Sequence, residues 1–232
     1  MITVRESGKR GHANHGWLDS FHSFSFADYY DAEHMGYGPL RVINEDRVQP
    51  GMGFGTHGHR DMEILSYVLE GQLSHQDNIG NGSVITPGDV QRMSAGRGVM
   101  HSEFNPSKTE GVHFLQIWIE PSARGIPASY EQSRVEADAK RGKLALIAGP
   151  EGSGAAVTIH QDAKVYATLL DGRETVTQAI APGRRAYVHV ARGSVKVNGV
   201  ALVAGDAVRI EDDAQVTLTA GTGAEVLVFD LN

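Results

Sequence analysis

Two short stretches of the sequence bring histidine and glutamate together at a spacing that suits metal binding. One is His57-Gly58-His59, and the other is His101-Ser102-Glu103. Residues two apart on a β-strand point to the same face, so each stretch would present two side chains on one side. Nitrogen and oxygen ligands that converge from two strands suit a divalent transition metal. We therefore predict a metal centre that contains these histidines and one carboxylate.

The residues alone leave two candidates for the carboxylate ligand. Glu103 follows His101, and Glu63 follows His59; each shares the strand phase of its histidine, so parity does not choose between them. Three imidazoles and one carboxylate suit Fe(II), Mn(II), Co(II), Ni(II), Cu(II) and Zn(II). Such a set would leave open positions for a substrate and O₂, whereas structural zinc sites are closed and usually rich in thiolates. The ligands therefore predict redox chemistry at an open metal centre.

The segments around these ligands have the composition of strands and tight turns. Glycine accounts for 28 of 232 residues and is frequent at 49–56 and 95–98, just before the two ligand stretches. Glycine permits sharp turns and close backbone approach. Turn residues at 77–82 predict a hairpin, and alternating or apolar segments predict an all-β chain. The strands predicted in the first half include 21–26, 40–44, 62–69, 90–93 and 112–119.

Charge and composition exclude several classes of function. A formal net charge of −7 and a pI near 5.9 argue against broad electrostatic contact with DNA or RNA, so we expect no direct nucleic-acid partner. The sequence has no cysteine, which excludes disulfides and Fe–S clusters. No apolar run is long enough to span a membrane, and no signal peptide is evident. We predict a cytoplasmic monomer without a membrane partner.

The chain divides into two predicted β domains, at 1–130 and 131–232. Nine of the 11 histidines precede residue 114, and a polar segment at 120–142 reads as a linker with one short helix. The halves resemble a degenerate repeat: a strand ends at a glycine turn at both Gly71 and Gly193, and a second glycine turn recurs at Gly88 and Gly205. The spacing between each pair of matching glycines gives a sequence offset between the two halves. Applying these offsets to the ligands His57, His59, His101 and Glu103 leads to apolar residues in the second half, namely Ala179, Ala181, Leu218 and Ala220. The second domain is therefore predicted to be free of metal.

The ligand motifs resemble those of a known superfamily and, more closely, of one family. The spacing from Gly51 through His57-x-His59 and Glu63 to Gly71 is similar to the first cupin motif, and Gly98, His101 and Asn105 are similar to the end of the second. The sequence resembles the pirin family most. The segments that carry this resemblance are Gly11-His12, 24–31, His57-x-His59-Arg60-Asp61-Met62-Glu63, Leu69-Glu70-Gly71 and 94–105.

This resemblance implies a bicupin fold, that is, two jelly-roll β-barrel domains, with a metal-free C-terminal domain. It also implies Glu103 as the fourth metal ligand beside His57, His59 and His101, and iron as the first choice of metal. Glu63 would then hydrogen-bond a ligand imidazole. Two departures from the general cupin pattern are a glycine one residue late after Glu63 and Gly96 where a proline is expected.

Several other residues have both a plain and a functional interpretation. His12, His15 and His22 are favoured as half-buried polar residues, and His75 is expected on an exposed hairpin. The aromatic residues Phe21, Phe24, Phe26 and Trp118 are expected in the core more than on a substrate surface. Met52, Met62 and Met93 could line a pocket near the metal or belong to the core. Arg60 and Arg97 flank the ligands and could attract an anionic substrate, although solvated salt bridges are the default interpretation. His113 could line the pocket or the opposite face.

The resemblance implies two functions of different classes. The first is a dioxygenase that opens a flavonol such as quercetin with O₂, with Glu103 as ligand and candidate base. The second is an iron-bound regulator whose oxidation state alters its binding to a protein partner, without turnover. A cupin isomerase is a weaker third option, because it would require basic residues that converge on the pocket.

Overall fold

The computed structural model describes all of residues 1–232, and almost all of its regular structure is β. It contains one α-helix, α1 (Ala137–Lys140), and a 3₁₀ turn at Ser7–Lys9. None of its helices has the length and apolar character needed to cross a membrane. The strands are β1 (Ile2–Arg5), β2 (Gly11–Asn14), β3 (Leu18–His22), β4 (Leu40–Val48), β5 (Gly53–His59), β6 (Glu63–Glu70), β7 (Leu73–Asp77), β8 (Gly82–Ile85), β9 (Asp89–Ser94), β10 (Val99–Phe104), β11 (Val112–Ile119), β12 (Ser129–Arg134), β13 (Ala145–Gly149), β14 (Val157–Thr158), β15 (Ala163–Leu170), β16 (Val176–Ala179), β17 (Arg185–Val197), β18 (Val200–Val203), β19 (Ala207–Ile210) and β20 (Gln215–Leu231).

The chain forms two compact units that are discontinuous in sequence. The N-terminal unit comprises Gly11–Arg134 and Val157–Gln161, and the C-terminal unit comprises Met1–Arg10, Val135–Ala156 and Asp162–Asn232. The first ten residues belong to the C-terminal unit because β1 pairs with β19. The assignment of metal binding to residues 1–130 and its absence from 131–232 stays a prediction.

Two antiparallel sheets form the N-terminal unit. One has seven strands in the order β12-β9-β6-β11-β4-β3-β2, and the other has four in the order β5-β10-β7-β8. Leu18, Val48 and Phe114 from the first sheet pack with Leu73 and Ile85 from the second. Burial of apolar side chains between two sheets is the main stabilising term of such a fold. The core therefore lies between the sheets and holds β5 and β10 in place.

The C-terminal unit has its own sheet, in the order β1-β19-β17-β20-β15-β13, with β16 and β18 paired to β20 and β17. The turn glycines of the predicted repeat adopt positive φ in both units, at 74° and 98° for Gly71 and Gly88 and at 66° and 85° for Gly193 and Gly205. The offsets fail at the ligand positions, however. Ala179 pairs with Gln215 and not with Leu218, which lies in the apolar core. A fixed sequence offset cannot predict this pairing, because the register between β17 and the long strand β20 is irregular.

Two predicted boundaries in the N-terminal unit were wrong. The strand predicted over 21–26 ends at His22, because a tight turn closed by Phe26 and Tyr29, with Ala27 at a φ of 48°, redirects the chain. Part of the predicted linker is strand β12, which pairs with β9 at the sheet edge. Its sequence is polar because an edge strand is only partly covered. The short helix predicted in the linker is present as α1.

Candidate metal centre

The three predicted histidine ligands converge at the seam between β5 and β10. His101 lies directly opposite His57 in the antiparallel register. Ligand nitrogens of His57, His59 and His101 all lie within 4.8 Å of one another, and the two Nε2 atoms of His57 and His101 are 3.1 Å apart. Two imidazoles at a right angle on an ion with bonds of ~2.1 Å would hold their nitrogens about 3 Å apart. The spacing of these nitrogens therefore fits a shared cation.

The protonation of these imidazoles also fits a cation. The Nδ1 of His57 lies 2.8 Å from the carbonyl oxygen of Gly55, so Nδ1–H donates there and Nε2 keeps its lone pair. Burial, with a smaller contribution from His57, lowers the pKa of His59 to about 4. Burial likewise lowers the pKa of His101 to about 3, aided by the neighbouring histidines. Neutral imidazoles at pH 7 are the form that binds metals.

Glu103 lies at the inner side of β10, just past an irregularity in its register with β5. Its carboxylate is buried, and Oε1 accepts a hydrogen bond of 3.1 Å from Ser66 Oγ. Burial, with a smaller contribution from the charge on Asp46, raises the pKa of Glu103 to about 7. A ligand oxygen of Glu103 lies within 4.8 Å of ligand nitrogens of His75 and His101. Its place beside His101 is compatible with the predicted ligand role.

Glu63 occupies a different part of the N-terminal unit, and the role expected for it was wrong. Its Oε2 accepts hydrogen bonds from Ser94 Oγ at 2.9 Å and from the backbone N–H of His160 at 3.2 Å. It therefore hydrogen-bonds none of the three clustered imidazoles. The parity argument failed because the bend at Asp61, with a φ of 48°, separates β5 from β6 and resets the strand phase.

A cavity of 460 Å³ opens onto His57, His59 and Glu103. Its size is within the usual range for small-molecule sites. Phe26, Tyr29, Phe54 and Trp118 contribute aromatic walls, and Phe26 meets Trp118 edge to face with centroids 5.4 Å apart. Flat aromatic ligands pack well on such surfaces. Phe26 and Trp118, which were expected in the core, therefore face a cavity.

Sequence reasoning missed polar residues on the cavity wall. His12, His15 and His22 line it together with Ser20 and Asp46. Ser20 Oγ hydrogen-bonds Asp46 and lies 2.9 Å from His22 Nε2. The sequence did contain a signal for two of these residues. Leu18, Ser20 and His22 alternate along β3 and share its buried face.

Other residues lie away from the cavity. Met93 is in the core with Ile64 and Val99, where Met62 packs against it, while Met52 is exposed. Arg97 Nε donates to the carbonyl oxygen of Gly125 at 3.1 Å, and Arg60 does not line the cavity. His113 Nε2 lies 3.0 Å from Glu45 Oε1, outside the cavity. His75, expected on an exposed hairpin, is only 1% exposed, because its side of β7 faces the interior.

Two all-β units, one with a histidine cluster at a cavity, define a bicupin with a candidate metal centre. The Pirin family model matches residues 3–119, and the model of the quercetinase C-terminal cupin domain matches residues 146–231. The chain belongs to the pirin family. The resemblance of its motifs to that family is confirmed.

Similar proteins extend over the full chain. Quercetin 2,3-dioxygenase of Escherichia coli (strain K12) is 48% identical over 231 residues, which cover 100% of this chain and 99% of that protein. A pirin-like protein of Caulobacter vibrioides is 42% identical over 231 residues, which cover 99% of each chain. The crystal structure of the bacterial pirin YhhW from Escherichia coli in complex with nickel(II) has a TM-score of 0.94 at 47% identity, with 100% of this chain and 99% of that chain covered.

Proposed function

We propose that this protein is a metal-dependent dioxygenase that cleaves a flavonol such as quercetin, with the metal held by His57, His59, His101 and Glu103. The observation that carries the proposal is the convergence of three histidine nitrogens within 4.8 Å at the wall of an aromatic cavity. The name of the Escherichia coli relative, quercetin 2,3-dioxygenase, supports the substrate class. In this reaction both atoms of O₂ enter the product, and carbon monoxide leaves as the ring opens.

The residues around the cavity have separate tasks in this proposal. A bound metal would supply Lewis acidity and redox chemistry toward the substrate and O₂. Phe26 and Trp118 would hold the flat rings and exclude water. Glu103 would serve as the carboxylate ligand and as the candidate base that takes a proton from a substrate hydroxyl. Ser66 Oγ, 3.1 Å from Glu103 Oε1, would hold the carboxylate in place.

The metal we propose is Fe(II), the first choice from the family resemblance. Imidazole and carboxylate ligands also suit Mn, Co, Ni, Cu and Zn, and nickel(II) is bound in the YhhW crystal structure. When one set of ligands accepts several ions, the availability of each metal in the cell decides which one is bound. We also propose a cytoplasmic monomer as the working form.

The test joins metal analysis to oxygen uptake. Native protein would be assayed for bound metals and then for O₂ consumption and carbon monoxide release with quercetin and related flavonols. His57→Ala is the matched variant and should lose both metal and turnover. If the metal-loaded protein and His57→Ala consumed O₂ equally, the dioxygenase would be excluded. A metal-dependent protein partner with no turnover would instead favour the redox-sensing regulator.

A further inference from the structure

Strand β7 places two polar side chains behind the metal ligands. It pairs with β10 on the side opposite β5, so that His75 lies across from Glu103 and Asp77 lies across from His101. The side chains of His75 and Asp77 are fully buried, at 0% exposure each. Burying an imidazole and a carboxylate is costly unless they are hydrogen-bonded. This buried pair therefore lies directly beside two predicted metal ligands.

The atoms form a continuous chain that ends at His101. Asp77 Oδ2 lies 3.1 Å from His75 Nε2, and His75 Nδ1 lies 3.5 Å from His101 Nδ1. On the far side of the ring, His101 Nε2 faces His57 Nε2. Both nitrogens of His75 are therefore within hydrogen-bond distance of a partner.

Hydrogen bonds from the turn that follows Asp77 hold its carboxylate as a hydrogen-bond acceptor. Its Oδ1 accepts the backbone N–H groups of Ile79 at 3.0 Å and Asn81 at 2.9 Å, and its Oδ2 accepts Asn81 Nδ2 at 2.9 Å. A carboxylate with these donors can only accept from His75. The Nε2 of His75 must then carry the proton, and its Nδ1 keeps a lone pair.

The direction of the remaining hydrogen bond follows. Because His75 Nδ1 accepts, His101 Nδ1–H donates to it, and His101 Nε2 is left with its lone pair toward His57. One carboxylate thus sets the tautomers of two successive imidazoles. Orientation of a ligand imidazole by such a partner raises its basicity and its affinity for a metal.

We propose that His75 and Asp77 form a positioning relay that fixes His101 in the Nδ1–H tautomer and aims its Nε2 at the metal. This proposal rests on the metal centre proposed above. It assigns a function to a buried histidine and aspartate that would contribute no ligand of their own.

The first test reads the tautomers directly. In protein labelled with ¹⁵N and loaded with Zn(II), two-bond correlations between ring nitrogens and ring protons report which nitrogen carries hydrogen. His75 should be protonated at Nε2 and His101 at Nδ1. Protonation of His75 at Nδ1, or zinc coordination through a His75 nitrogen, would overturn the relay.

The second test measures Ni(II) affinity by competition with a chelator. Asp77→Asn presents an amide N–H where His75 needs an acceptor, and His75→Phe keeps a ring against Tyr130 but removes both nitrogens. Each variant should bind Ni(II) about 10- to 100-fold more weakly than wild type. Glu45→Gln and His113→Gln are matched controls, because His113 and Glu45 form a buried pair 3.0 Å apart outside the cavity.

The outcomes separate this proposal from the proposed function. Wild-type affinity in folded Asp77→Asn would overturn the relay and leave the metal centre intact. Equal losses in the control pair would mean that the effect is general destabilisation, which also contradicts the relay. Metal binding with the expected tautomers but no flavonol turnover would contradict the dioxygenase alone.

Discussion

The indole ring of Trp118 lies edge to face against the imidazole of His59, with ring centroids 4.9 Å apart and planes at 82°. One residue thus contacts a predicted metal ligand and also forms the cavity wall. Trp118→Ala should raise KM for quercetin about 5-fold, since an aromatic contact contributes about 1 kcal/mol beyond its buried area. Steady-state O₂ uptake would measure this change. Tyr166→Ala is the control, because Tyr166 packs against the apolar core of the C-terminal unit and does not line this cavity, and an equal effect there would contradict the assignment.

The two glutamates should respond to substitution in opposite ways. Glu103→Gln should lose metal affinity and turnover because the site loses its anionic ligand. Glu63→Gln should keep the metal but lose about 1–3 kcal/mol of unfolding free energy. The amide oxygen can still accept from Ser94 and His160, but the NH₂ group that replaces the buried Oε1 would lack a hydrogen-bond partner. Metal titration and urea unfolding would separate these effects. Loss of metal from Glu63→Gln alone would reverse our choice of ligand.

Asp46 should make the metal-free protein less stable as pH rises. Burial raises the pKa of Asp46 to about 7 from its ordinary value of 3.8. Between these values the folded state holds a proton that the unfolded state has released, so stability falls with increasing pH. Asp46→Asn should flatten the fall in Tm between pH 4 and pH 7, as measured by thermal unfolding of chelator-treated protein. Parallel curves for the two proteins would contradict the shifted pKa.

Two glycines on β5 should differ sharply in their tolerance of alanine. A Cβ at Gly53 would collide with the backbone of Glu103 and Phe104, whereas a Cβ at Gly55 would meet nothing within 4 Å. Gly53→Ala should therefore push β5 from β10, weaken metal binding and lower Tm. Gly55→Ala should leave both unchanged. Chelator competition and thermal unfolding would test the pair, and similar behaviour of both variants would contradict the close packing.

The sequence was sufficient to predict the ligand histidines, because the alternation of side chains along a strand depends only on the local spacing of residues. His57 and His59 share one face of β5, and the register of β5 with β10 brings His101 opposite His57. The same reasoning failed for Glu63, because a single residue with positive φ, Asp61, interrupts the periodicity. It failed for His75 as well, since burial of a polar strand depends on which neighbours cover it. Tertiary pairing supplies that information, and local composition does not.

The cavity could be predicted only in part for a similar reason. Aromatic residues such as Phe26 and Trp118 have the composition of a core, and only the three-dimensional arrangement exposes one face of each to a cavity. The alternation on β3 would have identified Ser20 and His22 as inward residues, although not their proximity to Asp46. That proximity arises from the pairing of β3 with β4.

The discontinuous course of the chain limits how this protein can be divided. Residues 157–161 belong to the N-terminal unit, where the carbonyl oxygen of His160 accepts the backbone N–H of Ser122 at 2.8 Å and its own N–H reaches Glu63. Residues 1–10 likewise complete the sheet of the C-terminal unit. A chain ended at Arg134 would thus lack part of one unit, and a chain begun at Val135 would lack part of the other. No single cut in the chain therefore separates the two compact units.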